Sequence, residues 1–74
     1  MKVGTLKWFD GKKGFGFIVP NDGGADIFIH ESAVFRSGVE RLAEDGTIYF
    51  DTAVNKKTGK IRVERLSLIN PAIG

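Results

Sequence analysis

Lys13-Gly14-Phe15-Gly16-Phe17-Ile18 and, a short turn later, Asp26-Ile27-Phe28-Ile29-His30 decide how this chain folds and what its surface carries. In an extended strand, successive side chains point to opposite faces. Lys13, Phe15 and Phe17 therefore share one side, and Gly14, Gly16 and Ile18 the other. The second run sorts alike, with Asp26, Phe28 and His30 opposite Ile27 and Ile29. A small sheet buries its aliphatic face rather than one carrying Lys and Asp. The rings are thus expected outside with cations beside them, the arrangement on which unpaired bases stack.

The punctuation around these runs is that of an all-β domain. Residues 3–9 read as a first strand, and Asp10-Gly11 with Lys12-Lys13-Gly14 turns it into a second at about 14–19. Pro20 is expected to end that strand. Asn21-Asp22-Gly23-Gly24 is a turn of residues that tolerate positive φ, leading into a third strand at about 26–30 and a three-stranded meander. Residues 31–46 are less regular, with a single helical turn expected at Ser32 to Phe35 and bends at Gly38 and Gly46. A fourth strand spans about Thr47 to Val54, with Ile48 and Phe50 inward and Tyr49 and Asp51 outward. Asn55 to Gly59 turns it back into a fifth, about Lys60 to Leu68. That strand buries Ile61 and Val63 and then changes phase to Leu66 and Leu68, which requires a bulge near Glu64 or Arg65. Five short strands with a long link between the third and fourth fit a small closed antiparallel barrel, since closure removes exposed sheet edges.

Composition narrows the function. A chain of 74 residues holds one domain and one small core. Cysteine is absent, which excludes a disulfide framework and a thiolate metal site and points to a reducing compartment. No secretory signal is seen, and no apolar run approaches the roughly 20 residues that span a bilayer. The net charge of +2 is unevenly spread: residues 1–20 carry +3, residues 21–51 carry −5 and residues 52–74 carry +4. If the two ends pack beside the aromatic strands, the protein has a basic face for phosphates and an acidic face that repels them. The same charges also fit an ordinary mixed, solvated surface.

Gly4-Thr5-Leu6-Lys7-Trp8-Phe9-Asp10, the run Lys13 to Ile18, and Asp26-Ile27-Phe28-Ile29-His30 followed by Ser32-Ala33 resemble the bacterial cold-shock proteins, in order and at nearly the expected spacing. The resemblance covers essentially the whole chain, 1–74, as a single cold-shock domain. It implies a five-stranded oligonucleotide-binding (OB) barrel whose two ribonucleoprotein-like motifs fall on Lys13 to Ile18 and Ile27 to His30. It further implies sequence-tolerant binding of single-stranded RNA and DNA, cytoplasmic RNA-chaperone activity without ATP, and effects on transcription termination and translation. Carried over residue by residue, the binding platform is Lys7, Trp8, Lys13, Phe15, Phe17, Asp26, Phe28 and His30. Alternation alone selects all of these but Lys7 and Trp8. Strict parity puts Trp8 with Leu6 on the buried side, and a twist or bulge in the first strand would reconcile the two readings.

The chain also departs from the family pattern. Glu31 and Val39 stand where many members carry aromatic residues, and Arg62-Val63-Glu64-Arg65-Leu66 replaces a small, amide-rich segment. Weaker stacking and a steeper salt dependence than in a typical member are expected. Phe35 either supplies a replacement ring or plugs the barrel end. Lys56, Lys57, Lys60 and Arg62 are the candidates for tracking phosphates together with Lys7 and Lys13. Asp26 either reads a base edge or caps its turn.

Other functions find little support. His30 is the sole histidine and has no cysteine partner, so stacking or hydrogen bonding to a base is expected rather than metal binding. Gly14-Phe15-Gly16 lacks the third glycine and following helix of a dinucleotide site, and Thr58-Gly59-Lys60 lacks the other half of a phosphate loop. No catalytic constellation accompanies Ser32. The motif starting at residue 13 lies too early for an RNA-recognition domain, where it follows a helix. The expectation is a monomeric binding protein without cofactor, membrane or small-molecule substrate. The rival reading is a small barrel that uses its aromatic face for a peptide.

Overall fold

The computed structural model describes residues 2–68. It contains β1 (Lys2–Asp10), β2 (Phe15–Pro20), β3 (Ile27–His30), α1 (Glu31–Arg36), β4 (Thr47–Val54) and β5 (Ile61–Ser67). The strands close into a barrel in the order β1-β2-β3-β5-β4. Each strand lies within a residue or two of its expected bounds. Pro20 is the last residue of β2 rather than the first beyond it, paired with Gly4 and buried. The expected helical turn is a six-residue helix that His30 caps.

Four of the five seams are antiparallel, as expected, and the fifth, between β3 and β5, is parallel and held at Phe28 opposite Arg62. The parallel seam follows from counting. Strand direction cannot alternate all the way round a closed ring with an odd number of members, so one neighbouring pair must run the same way. Here the long 31–46 link carries the chain from β3 to β4 on the far side of the ring, and β5 then returns to close against β3 in the same direction.

The core is Leu6, Ile18, Ile29, Ala33, Ile48, Phe50, Val63 and Leu66, with Phe9, Ile27, Val34, Val39 and Leu42 packed against it. It holds no buried polar or charged residue among those described. Two expected core residues lie elsewhere: Ile61 is 50% exposed and Leu68 47%. Ile61 has the inward parity of Val63, but it pairs with Val54 at the loop end of the β4–β5 ribbon, one residue beyond the β3 seam, where no strand covers it. Leu68 comes after β5 has ended.

Two bulges keep the core in phase. In β5, Arg65 lies opposite Asp51 and Val63 opposite Thr52, so Glu64 is the extra residue, at the expected place. In β1, Leu6 lies opposite Ile18 and Trp8 opposite Phe17, so Lys7 is extra. Each bulge lets two inward residues sit three apart, Val63 with Leu66 and Leu6 with Phe9.

Candidate nucleic-acid interface

The extra residue at Lys7 turns Trp8 to the outer face, where it meets the rings of β2. Its ring centroid lies 5.6 Å from that of Phe15 and 5.4 Å from that of Phe17, both edge to face. Phe28 of β3 adds contacts at 5.7 Å to Phe15 and 5.9 Å to Phe17, and His30 follows at 6.3 Å from Phe28. The ladder explains this grouping, because Phe15 pairs with His30 and Phe17 with Phe28, which puts the four side chains on one face. Gly16, between the two phenylalanines, lets β1 and β2 approach closely at the bulge, since a Cβ there would stand 2.2 Å from the Trp8 carbonyl oxygen. The phenylalanines and Trp8 are half-buried, because the rings cover one another's edges. They form a packed outer cluster, with none sealed in the core.

The polar groups around the cluster are partly committed. Lys7 Nζ donates to Asp26 Oδ2 at 2.9 Å. Asp26 thus anchors the bulge lysine, and the adjoining turn is capped by Asp22, whose carboxylate accepts from the Gly24 N–H at 2.9 Å. His30 Nδ1 accepts from the Ser32 N–H at 3.1 Å and lies 3.0 Å from Ser32 Oγ. With Nδ1 occupied in capping α1, Nε2 is the ring atom left to meet a base. Lys13 is exposed in the β1–β2 turn, whose shape Asp10 fixes by accepting from the backbone of Lys12 and Lys13.

On the other side of the rings, a groove is lined by Phe17, Phe28, Asn55, Thr58, Lys60, Ile61 and Arg62. Lys60 and Arg62 thus line a groove with two rings of the cluster. Lys56 and Lys57 are exposed at the tip of the β4–β5 turn, and the groove takes Asn55 and Thr58 from that turn instead. Ile61 was assigned to the core by its parity; nothing in its local sequence marked it as a groove residue. Phe35 does not plug the barrel, since it is 77% exposed and the packed residues of α1 are Ala33 and Val34. It stands away from the ring contacts, beside a second groove shared with Phe9, Glu31, Val34, Val39 and Glu40. No helix among the described residues is long and apolar enough to cross a membrane, and no group of three or more His, Cys, Asp or Glu there could hold a metal.

An outward cluster of five rings, four on the two motif strands and Trp8 on β1, flanked by Lys and Arg, has the form of a single-strand binding surface. Residues 2–64 match the model of the 'cold-shock' DNA-binding domain. The chain belongs to the cold-shock domain family. Among its relatives, the probable cold shock protein y4cH of Sinorhizobium fredii is 46% identical over 66 residues, covering 89% of this chain and 96% of that protein. Cold shock protein CspA of Rhizobium meliloti shows the same identity and coverage. The major cold shock protein of Micrococcus luteus is 48% identical over 52 residues, 70% of this chain and 78% of that one. The cold-shock domain accounts for the barrel and for nucleic acid as the class of ligand.

Proposed function

We propose that this cold-shock domain binds single-stranded RNA and DNA with little sequence preference by stacking bases on Trp8, Phe15, Phe17, Phe28 and His30. The observation that carries this reading is the ring cluster on the outer face of β1, β2 and β3. Every base has a π-face, so a ring platform gains about 1–3 kcal/mol per stacked base whatever the sequence. Lys13, Lys60 and Arg62 meet the phosphates, and Lys7 joins them when it leaves Asp26. Lys56 and Lys57 add long-range attraction from the turn tip. Duplex binds poorly, because its bases already stack on one another and offer a flat platform no face.

The cellular role follows by mass action. A single copy of the domain, acting in the cytoplasm, holds strands open as they breathe and so melts weak hairpins without ATP. Transcripts kept open in this way affect termination and translation in the cold. The test is titration of Trp8 fluorescence with matched oligothymidine and duplex at several salt concentrations. Quenching by the single strand alone is expected, with log affinity falling by roughly 0.7 per neutralised phosphate for each decade of salt. An unchanged spectrum and no gel shift with the single strand overturn the reading and favour a peptide as the ligand, and equal affinity for duplex overturns the stacking mechanism.

A further inference from the structure

The charges around the ring cluster are lopsided along its length. Lys60 and Arg62 border Phe17 and Phe28 at one end. At the other end, Phe15 and His30 form the last cross-strand pair, and the next residue on each strand is Gly14 and Glu31. The Glu31 N–H donates to the Gly14 carbonyl at 2.8 Å, which pins the start of α1 to the start of β2. The Glu31 carboxylate then lies over Gly14, where a Cβ would come within 2.8 Å of its Cδ. Glu31 also lines the groove that contains Phe9, Val34 and Val39, and Glu40 is a second carboxylate in that lining. An apolar concavity that begins one residue past His30, at Glu31, would ordinarily extend a stacking surface. Here a strand leaving Phe15 and His30 has Lys13 beside it in the β1–β2 turn, but on the α1 side its phosphates must pass one carboxylate and then another to enter the groove.

Resting on the function proposed above, we propose that Glu31 and Glu40 end the nucleic-acid track at Phe15 and His30. The domain then selects short single-stranded segments, such as small loops and gaps, rather than long tracts. Its footprint falls near the lower end of the roughly 4–16 nucleotides that one barrel of this kind covers. Phe35, on the same acidic side, lies outside the track. Repulsion between unit charges about 4 Å apart in water corresponds to roughly fivefold in affinity per pair. A strand crossing both glutamates therefore gains little from the apolar groove beneath it.

The experiment measures affinity against oligothymidine length for the wild type, E31Q, E31Q/E40Q, F35A and, as a charge-matched control, E44Q. Each value is divided by the number of binding registers, and each variant's fold is checked by its melting curve. The wild type is expected to reach its plateau at about four or five nucleotides. E31Q/E40Q should carry the rise to longer oligomers and gain roughly three- to tenfold there, with less than about twofold change for the tetramer. F35A and E44Q should keep the wild-type length profile. A wild-type affinity that climbs steadily to nine or ten nucleotides overturns the short track. So does an E31Q/E40Q gain that is equal at every length, which marks general electrostatics. Failure of every oligomer to bind overturns the proposed function itself, and the track with it.

Discussion

The two bulges of the barrel are the same device put to different ends. Both let a strand present inward residues three apart, Leu6 with Phe9 in β1 and Val63 with Leu66 in β5. In β5 the extra residue is held by the protein itself. Arg36 donates to the Glu64 carbonyl at 3.0 Å, and the Leu66 N–H donates to Ser37 Oγ at 2.9 Å, so the end of α1 satisfies the backbone groups the ladder misses. In β1 a loop likewise holds the residue before the bulge, since the Leu6 N–H donates to the Gly46 carbonyl at 3.0 Å and its carbonyl accepts from the Asp45 N–H at 2.9 Å, but this bulge also turns Trp8 outward into the cluster. The first kind of bulge maintains a fold, and the second also re-aims a side chain toward a ligand. Substitutions at the two places should therefore separate stability from binding.

The largest effect is expected where the β1 bulge meets β2. A methyl group on Gly16 would lie 2.2 Å from the Trp8 carbonyl oxygen and 2.8 Å from Phe9 Cα, both backbone atoms that cannot yield without parting the strands. G16A should cost at least about 3 kcal/mol, a fall of roughly 12–24 °C in Tm. A thermal melt near the wild-type value would show that the close approach at this bulge is not needed.

Next comes the binding surface. F28A removes the ring that touches Phe15, Phe17 and His30 and should weaken oligothymidine binding by about 1–3 kcal/mol, roughly 5- to 150-fold. Because the ring is half-buried against its neighbours, Tm should also fall by about 4–8 °C. Fluorescence titration and a melting curve on the same sample check both. Loss of folding would place the ring in the core.

The β5 bulge should behave in the opposite way. S37A removes the acceptor of the part-buried Leu66 N–H and should cost about 1 kcal/mol of stability while leaving oligonucleotide affinity within about twofold. A larger change in binding than in stability would mean that the clamp shapes the platform, and the distinction between the two bulges would fail.

Much of this was legible because alternation is a strict rule within a regular strand. It placed Phe15, Phe17 and Phe28 outside and Ile18, Ile29, Ile48 and Phe50 inside, and the Val63-to-Leu66 phase change located the β5 bulge. The β1 bulge was harder, because Leu6, Trp8 and Phe9 are all apolar and their pattern does not say which of them faces in. Only the family resemblance turned Trp8 outward. Ile61 and Leu68 were misplaced because parity says which face a residue takes, and not whether a neighbouring strand extends far enough to cover it. The pairing of Lys7 with Asp26 joins residues 19 apart in sequence and depends on the bulge geometry, so nothing local could have revealed it.

That pair gives the smallest and most discriminating test of the β1 bulge. Both side chains are substantially exposed, at 53% for Lys7 and 36% for Asp26, so the ion pair contributes little to folding, in the range of about 0–1 kcal/mol. Its effect on binding depends on which partner remains. D26N frees the Lys7 ammonium for a phosphate and removes a negative charge beside the rings, so single-strand affinity should rise about twofold at low salt, the gain fading as salt screens it. K7M leaves Asp26 unpaired near the strand and should lower affinity by a similar factor. Opposite signs for the two variants identify the pair as an electrostatic restraint on a phosphate contact. If D26N weakens binding as K7M does, the Asp26 carboxylate meets a base directly, and the β1 bulge holds a base-reading group as well as a ring.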